Sequence, residues 1–214
     1  VQTFQFGNLQ IPSAFLGLRP KYRLARLFHK LLSSRGKRMN AKTEVVVRVS
    51  RRTIEAVLLG VDATPKFVAD VVRAGVDPLN LEDFYTGETW QALLLVAMKH
   101  VNTKGTLKDV GRAILVGFAR TRAGSVLPRP LDQAPITAFV DKFPSLLKLW
   151  APDVAVVLEE QGARTWVATV ETQVLPRALV EGALLFAFEK RNVTGAASTV
   201  PIGTSAFRVC ANWL

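Results

Sequence analysis

A change of hydrophobic period near residue 150 constrains the fold of this chain most strongly. Between Thr64 and Trp150 the apolar residues recur at spacings of three and four, which is the period of an amphipathic helix. After Asp153 they fall into short strand-like runs that are separated by turn residues. Helices followed by strands are typical of an α+β domain.

Capping residues mark the helices of the first half. Thr64 precedes a proline, which predicts a helix start, and Gly75 predicts the end of that helix. Thr86 predicts the start of the next helix, and Thr106 with Asp109 forms a capping pattern for a third. Each of these helices is therefore bounded by a local signal.

Other segments of the first half are less sharply defined. The β-branched run from Val45 to Val49 indicates a short strand or the lead into a helix. The stretch from Leu131 to Trp150 predicts one or two helices, with an interruption near Pro144.

The second half predicts two hairpins with a helix between them. Gln161-Gly162-Ala163 separates the first pair of strands, Leu175-Pro176 opens the helix, and Gly203 marks the second turn. In the last strand Phe207 and Val209 share one face. We therefore predict an α+β fold with an N-terminal helical half packed on a C-terminal ββαββ four-stranded antiparallel sheet.

The positive charge is concentrated at the N-terminus. The net charge is +11, from 28 basic and 17 acidic residues. Residues 1–38 hold eight of the basic residues and no acidic one, which leaves 20 basic and 17 acidic residues, a net of +3, in the remainder. A domain at +3 gives little reason to expect specific nucleic-acid binding.

The basic segment has several interpretations. Leu24, Leu27, Phe28 and Leu31 fall at helical spacing between basic residues. Residues 1–38 could be an extension outside the functional domain, make weak contact with an anionic membrane surface, act as a targeting peptide, or dock as a structural helix. We expect the extension, and a single domain over residues 39–214.

Catalytic groups are scarce. There are two histidines, His29 and His100, and one cysteine, Cys210, so metal binding and nucleophilic catalysis are not expected. Gly111 and Gly117 lie inside a helix, where they favour close helix packing over a phosphate loop. We expect no enzymatic activity, no cofactor and a cytoplasmic location.

Large aromatic side chains are the remaining candidates for a binding site. They could line an apolar pocket between the helices and the sheet. Ordinary core packing is the alternative. The candidate pocket residues are Trp90, Phe118, Phe139, Trp150 and Trp166.

An ordered set of short motifs runs from about Val45 to Trp213. The motifs are Ala74-Gly75-Val76-Asp77, Tyr85, Trp90, Gly111-Arg112, Gly117-Phe118, Thr121, Gly124, Leu179-Val180-Glu181-Gly182, Phe207-Arg208-Val209 and Trp213. Together they resemble a paralogue family expanded in myxobacteria, which is similar to the haem–nitric-oxide-binding domain and to the vinyl-reductase-type ligand-binding domain.

The resemblance implies a fold whose pocket holds haem, an acyl chain or a small aromatic in different relatives. In haem-binding relatives the proximal histidine would fall between Pro130 and Trp150, where this chain has none. The Tyr-x-Ser-x-Arg pattern that binds the haem propionates in those relatives is also absent from the sequence. We therefore expect a sensing or signalling-adaptor domain that binds no haem and takes an unknown small apolar ligand or a protein partner. A structural interaction module with a closed core is the alternative, and a homodimer stays open.

Overall fold

The computed structural model describes residues 3–6, 9–12, 48–101, 105–125 and 135–214, with side chains from Arg48 onward apart from those of Ala123 and Ser125. None of the described helices has the length and hydrophobicity to cross a bilayer. The elements in chain order are β1 (Thr3–Phe6), β2 (Leu9–Pro12), β3 (Arg48–Ser50), α1 (Arg51–Gly60), α2 (Pro65–Arg73), β4 (Phe84–Thr86), α3 (Gly87–His100), α4 (Leu107–Arg120), α5 (Arg122–Ser125), α6 (Ile136–Trp150), β5 (Ala155–Gln161), β6 (Thr165–Glu171), α7 (Arg177–Lys190), β7 (Gly195–Pro201) and β8 (Ala206–Trp213).

The chain forms two compact units, Val1–Val46 and Val47–Leu214. In the first unit β1 and β2 pair as an antiparallel hairpin, a feature that the sequence did not suggest to us. The amphipathic helix expected around Leu24–Leu31 lies outside the described residues.

A four-stranded antiparallel sheet forms one layer of the second unit, in the order β5-β6-β8-β7. Its inner face carries Trp166 and Val170 of β6 and Phe207 and Val209 of β8, all buried, while Arg208 points to the outer face. The alternation in β8 is the one predicted. The α+β class and the ββαββ half are confirmed.

Three helices pack with their backbones nearly in contact. A Cβ atom at Gly117 of α4 would overlap the carbonyl oxygen of Ala56 on α1, and one at Gly111 would overlap that of Leu179 on α7. Gly182 of α7 faces Lys108 of α4 in the same way. The helix-packing interpretation of these glycines is confirmed, because any larger residue would push the axes apart. We call α1, α4 and α7 the glycine-packed slab.

The predicted caps are present. The Thr64 and Thr86 side chains accept hydrogen bonds from the third residue of their helices, and Thr106 and Asp109 form a reciprocal capping box. Gly75 has a φ of +90°, the left-handed conformation that ends a helix.

The structure decides between the alternatives that the sequence left open for two segments. Pro144 lies inside a continuous α6, where Phe143 and Leu147 are buried on either side of it, so the segment ends as one helix. Of the run from Val45 to Val49, the described residues Arg48 and Val49 belong to β3, which pairs with β4 through Val49 and Tyr85, as the strand interpretation predicted.

Candidate functional site

An open groove lies at one end of the large sheet. It has a volume of about 330 Å³, within the range of small-molecule sites. Its walls come from α3, the loop between β6 and α7, the start of α7, and the turn between β7 and β8. The lining residues are Gln91, Leu94, Thr172, Gln173, Val174, Leu175, Pro176, Arg177, Pro201, Gly203, Thr204, Ser205, Ala206 and Phe207.

The loop between β6 and α7 is held in place by two residues. The buried Trp90 indole Nε1 donates a 2.8 Å hydrogen bond to the carbonyl oxygen of Val174. The Thr172 hydroxyl accepts hydrogen bonds from the backbone N–H groups of Val174 and Leu175, each at 3.2 Å. This wall of the groove is therefore fixed before any ligand arrives.

The opposite wall is joined to the sheet. The Thr172 backbone N–H donates to the Ser205 carbonyl at 2.7 Å, and the Ile202 N–H donates to the Ala206 carbonyl at 3.0 Å. The guanidinium of Arg177 donates to the Thr199 carbonyl at 3.1 Å and so ties the start of α7 to β7.

Charge in the groove has one sign. Arg177 is the one ionisable side chain among the lining residues, and no acidic residue belongs to the lining. No hydrogen bond within the described part of the chain engages the side-chain polar atoms of Gln91, Gln173, Thr204 or Ser205. The groove therefore offers free amide and hydroxyl groups beside a cation, with Leu94 and Phe207 as apolar surface.

The five predicted pocket residues belong to the buried core cluster, and their role in ligand binding stays a prediction. All are buried, and none lines the groove. The Phe143 ring lies 5.6 Å from that of Phe139 and 6.0 Å, edge to face, from that of Trp166. The Arg191 guanidinium lies 4.6 Å from the Phe139 ring centre. The observed arrangement of Phe139 and Trp166 is that of packed core aromatics.

Trp90 and Trp150 have different surroundings. Trp90 touches the site indirectly, through its hydrogen bond to the groove wall. Trp150 is equally buried, yet its Nε1 has no hydrogen-bond acceptor among the described residues. Its backbone carbonyl accepts a 2.7 Å bond from the buried Thr53 hydroxyl, which joins α6 to α1.

His100 has a structural contact. Its Nε2 lies 2.9 Å from Oδ2 of Asp70, and its ring lies 5.4 Å from that of Phe67. The hydrogen bond from His100, followed by the nearby charge of Arg73, lowers the pKa of Asp70 below its ordinary value. This pair joins α2 to the end of α3. Within the described residues no group of three His, Cys, Asp or Glu side chains could hold a metal ion.

Solved structures with a similar fold include H-NOX domains. The Fe(II) unliganded H-NOX protein from K. algicida superposes with a TM-score of 0.54 at 13% identity, covering 76% of this chain and 95% of its own. An oxygen-binding H-NOX domain related to soluble guanylate cyclases gives 0.53 at 12%, covering 76% and 91%.

The fold is that of an H-NOX domain.

A third similar structure, described as showing haem redox potential modulated by protein-induced porphyrin distortion, gives a TM-score of 0.56 at 10% identity over 74% of this chain and 97% of its own. No protein-family model matches the sequence, and no curated protein is significantly similar to it. The predicted similarity of fold to haem–nitric-oxide-binding domains is thus confirmed. Membership of the myxobacterial paralogue family stays a prediction.

An H-NOX fold raises the question of haem, which needs an axial donor. The inward-facing side chains of α6 are aliphatic or aromatic, and none carries an atom that ligates iron: Ile136, Phe139, Val140, Phe143, Leu146, Leu147 and Trp150. His100 contacts Asp70 at the end of α3. The residues present therefore do not fit a haem ligated from α6.

The groove residues were missed at the level of sequence. Thr172 and Gln173 follow β6, and Thr204 and Ser205 precede β8, so antiparallel pairing brings both polar pairs to one end of the sheet. That consequence of the two predicted hairpins could have been drawn from the sequence. The contribution of α3 to the wall could not, because no local pattern places a helix against a loop.

Proposed function

We propose that this chain is a non-enzymatic sensing or signalling-adaptor domain that binds a small molecule other than haem in the open groove. The observation that carries the proposal is the groove itself, whose loop wall is held by Trp90 and Thr172. A preorganised wall lowers the entropic cost of binding. The H-NOX neighbours include an oxygen-binding domain, which supports a sensing role for the shared fold.

The absence of enzymatic activity is part of the same proposal. General acid–base catalysis needs a side chain that can give up or take up a proton within hydrogen-bond reach of the substrate. Arg177 is the single ionisable side chain of the groove lining, and a guanidinium stays protonated. A groove of this composition can bind and orient a ligand, but it lacks a proton acceptor.

Native mass spectrometry of the purified protein tests ligand binding. We expect a bound small molecule, and we expect Thr204→Trp, which places a large ring in the groove, to lose it. Gln161→Trp, at an exposed position outside the groove lining, is the matched control and should keep the ligand. Loss of the ligand in both variants, or retention in both, would place the ligand elsewhere.

The proposal that haem is not the ligand has its own test. Reconstitution with haem should give no Soret band that depends on a histidine. A stoichiometric band that disappears in His100→Ala would contradict the proposal, since His100 is the one histidine of residues 39–214.

A second candidate function is a structural interaction module. Its supporting observation is the dense interior, in which Phe143 packs between Phe139 and Trp166 and the slab helices touch through glycine. Under this alternative, repeated preparations would carry no ligand, and a protein partner would protect the domain's surface from hydrogen exchange. A cytoplasmic location is proposed for both, because a single cysteine suits a reducing compartment.

A further inference from the structure

We propose that the groove selects a small amphipathic anion, with its negative group at Arg177 and its apolar body against Leu94 and Phe207. This inference rests on the proposed function, whose ligand class it specifies. It follows from the composition of the lining, which holds a cation and no carboxylate.

The geometry of Arg177 leaves its charge available. The side chain is exposed, and within the described part of the chain its one hydrogen bond goes to the Thr199 carbonyl. A guanidinium has five N–H donors in a planar fork, so a carboxylate can still be bound through two parallel hydrogen bonds. The bond to Thr199 fixes the position of the guanidinium on β7, which reduces the entropy lost on binding.

Neighbouring polar groups extend the recognition surface. Thr204 and Ser205 lie in the turn beside β8, and their hydroxyls can donate to a second oxygen of the anion. The carboxylate of Glu181, one turn along α7, contacts Lys108 and Thr199. A cation at this end of α7 would be repelled by the positive charge of Arg177, so its binding is disfavoured.

The apolar side of the groove determines which apolar group the ligand can carry. Phe207 and Leu94 are largely buried under the groove, and Pro176 and Pro201 border it. A volume of about 330 Å³ suits one ring with a short side chain. The preferred ligand is therefore a single aromatic or aliphatic group that carries one negative charge.

Three probes of equal size test the charge preference in the full chain: phenylpropanoate, phenylpropanol and phenylpropylamine. Binding is followed by titration calorimetry and located by amide chemical shifts around residues 172–177 and 203–207. We expect the anion to bind on the order of tenfold more tightly than the alcohol, as charge-assisted hydrogen bonds predict, and the amine to bind most weakly.

Arg177→Gln should remove the preference of the anion over the alcohol. Arg164→Gln, which changes an exposed arginine outside the groove lining, should retain it. Binding of anion and alcohol in the groove with equal affinity would overturn the inference and leave the proposed function standing. If no probe bound in the groove at millimolar concentration, the inference would fail, and the proposed function would fail with it only if native mass spectrometry also found no bound ligand.

Discussion

At the scale of the residue, two buried tryptophans differ in one hydrogen bond. The side chains of Trp90 and Trp150 are both fully buried, but only Trp90 has an acceptor, the Val174 carbonyl, among the described residues. Trp90→Phe leaves that buried carbonyl without its donor, whereas Trp150→Phe removes a donor that has no partner there. We expect Trp90→Phe to reduce the free energy of unfolding by about 1–3 kcal/mol more than Trp150→Phe.

Urea denaturation of the two variants measures this difference. Both substitutions remove the same volume of indole, so the comparison cancels most of the packing loss. Equal destabilisation of the two proteins would show that the bond to Val174 adds nothing. Trp90→Phe should also weaken ligand binding in the groove, since it loosens the loop wall.

Asp70 provides a dependence of stability on pH. Its pKa is lowered, chiefly by the hydrogen bond from His100, from an ordinary value of 3.8. The unfolded chain therefore takes up the proton first as the pH falls. The stabilisation is fully present well above pH 3.8 and is lost as the pH falls through the lower pKa of the folded state.

We expect Asp70→Asn to be less stable than the wild type at neutral pH and to lose less stability on acidification. His100→Ala should likewise lose less stability on acidification, because it removes the main cause of the lowered Asp70 pKa. Denaturant unfolding at a series of pH values provides the measurement. If the stability of Asp70→Asn fell as steeply with pH as that of the wild type, the acid sensitivity would have to come from other groups.

At the scale of the element, α4 depends on glycine at its contact with α1. A methyl group at Gly117 would overlap the Ala56 carbonyl and lie 2.6 Å from the Gly60 amide nitrogen. The clash is with backbone, which cannot rotate away. We therefore expect Gly117→Ala to reduce stability by about 1–3 kcal/mol, despite the higher helix propensity of alanine.

Thermal denaturation distinguishes this effect from a general cost of replacing glycine. The control is Gly162→Ala in the turn between β5 and β6, where the added methyl would meet only ordinary contacts at 3.8 Å or more. We expect the control to melt close to the wild type. A Gly117→Ala protein that did the same would show that the helices can separate at no cost.

Local signals explain which elements could be predicted. Two helix-end signals act within one turn of the chain and could therefore be recognised in the sequence. They are the capping box of Thr106 with Asp109 and the glycine at position 75. The strands β3 and β4 were harder, because each has three residues, and such a length cannot establish an alternating pattern. Their pairing is decided by distant contacts, including the bond from Ser50 to the Leu149 carbonyl.

At the scale of the whole molecule, the division after Val46 bears on the basic segment. We predict that a fragment starting at Met39 keeps the melting temperature of the full chain. It should lose any affinity for anionic lipid or DNA, since eight basic residues lie before it. Vesicle binding at increasing salt and thermal denaturation of both proteins provide the test. A melting temperature lowered by many degrees would show that residues 1–38 belong to the fold.

The groove is assembled from distant parts of the chain, which is why the sequence did not point to it. Aromatic residues such as Phe139 and Trp166 were good candidates by type, but residue type alone does not distinguish a pocket wall from a core. The groove instead combines residues from α3, from a loop and from a turn. Arg177 could not be recognised as a site residue from the sequence, because its importance depends on the lack of acidic residues in the groove lining.

The glycine-packed slab also affects the order in which the protein can fold. Its contacts join residues 51–60, 107–120 and 177–190, which are far apart along the chain, so each contact closes a long loop. During synthesis α4 can pack on α1 once both helices have left the ribosome. Its contact with α7 can form only after α7 has been synthesised. Until then we expect the face of α4 that packs on α7 to stay exposed in the nascent chain.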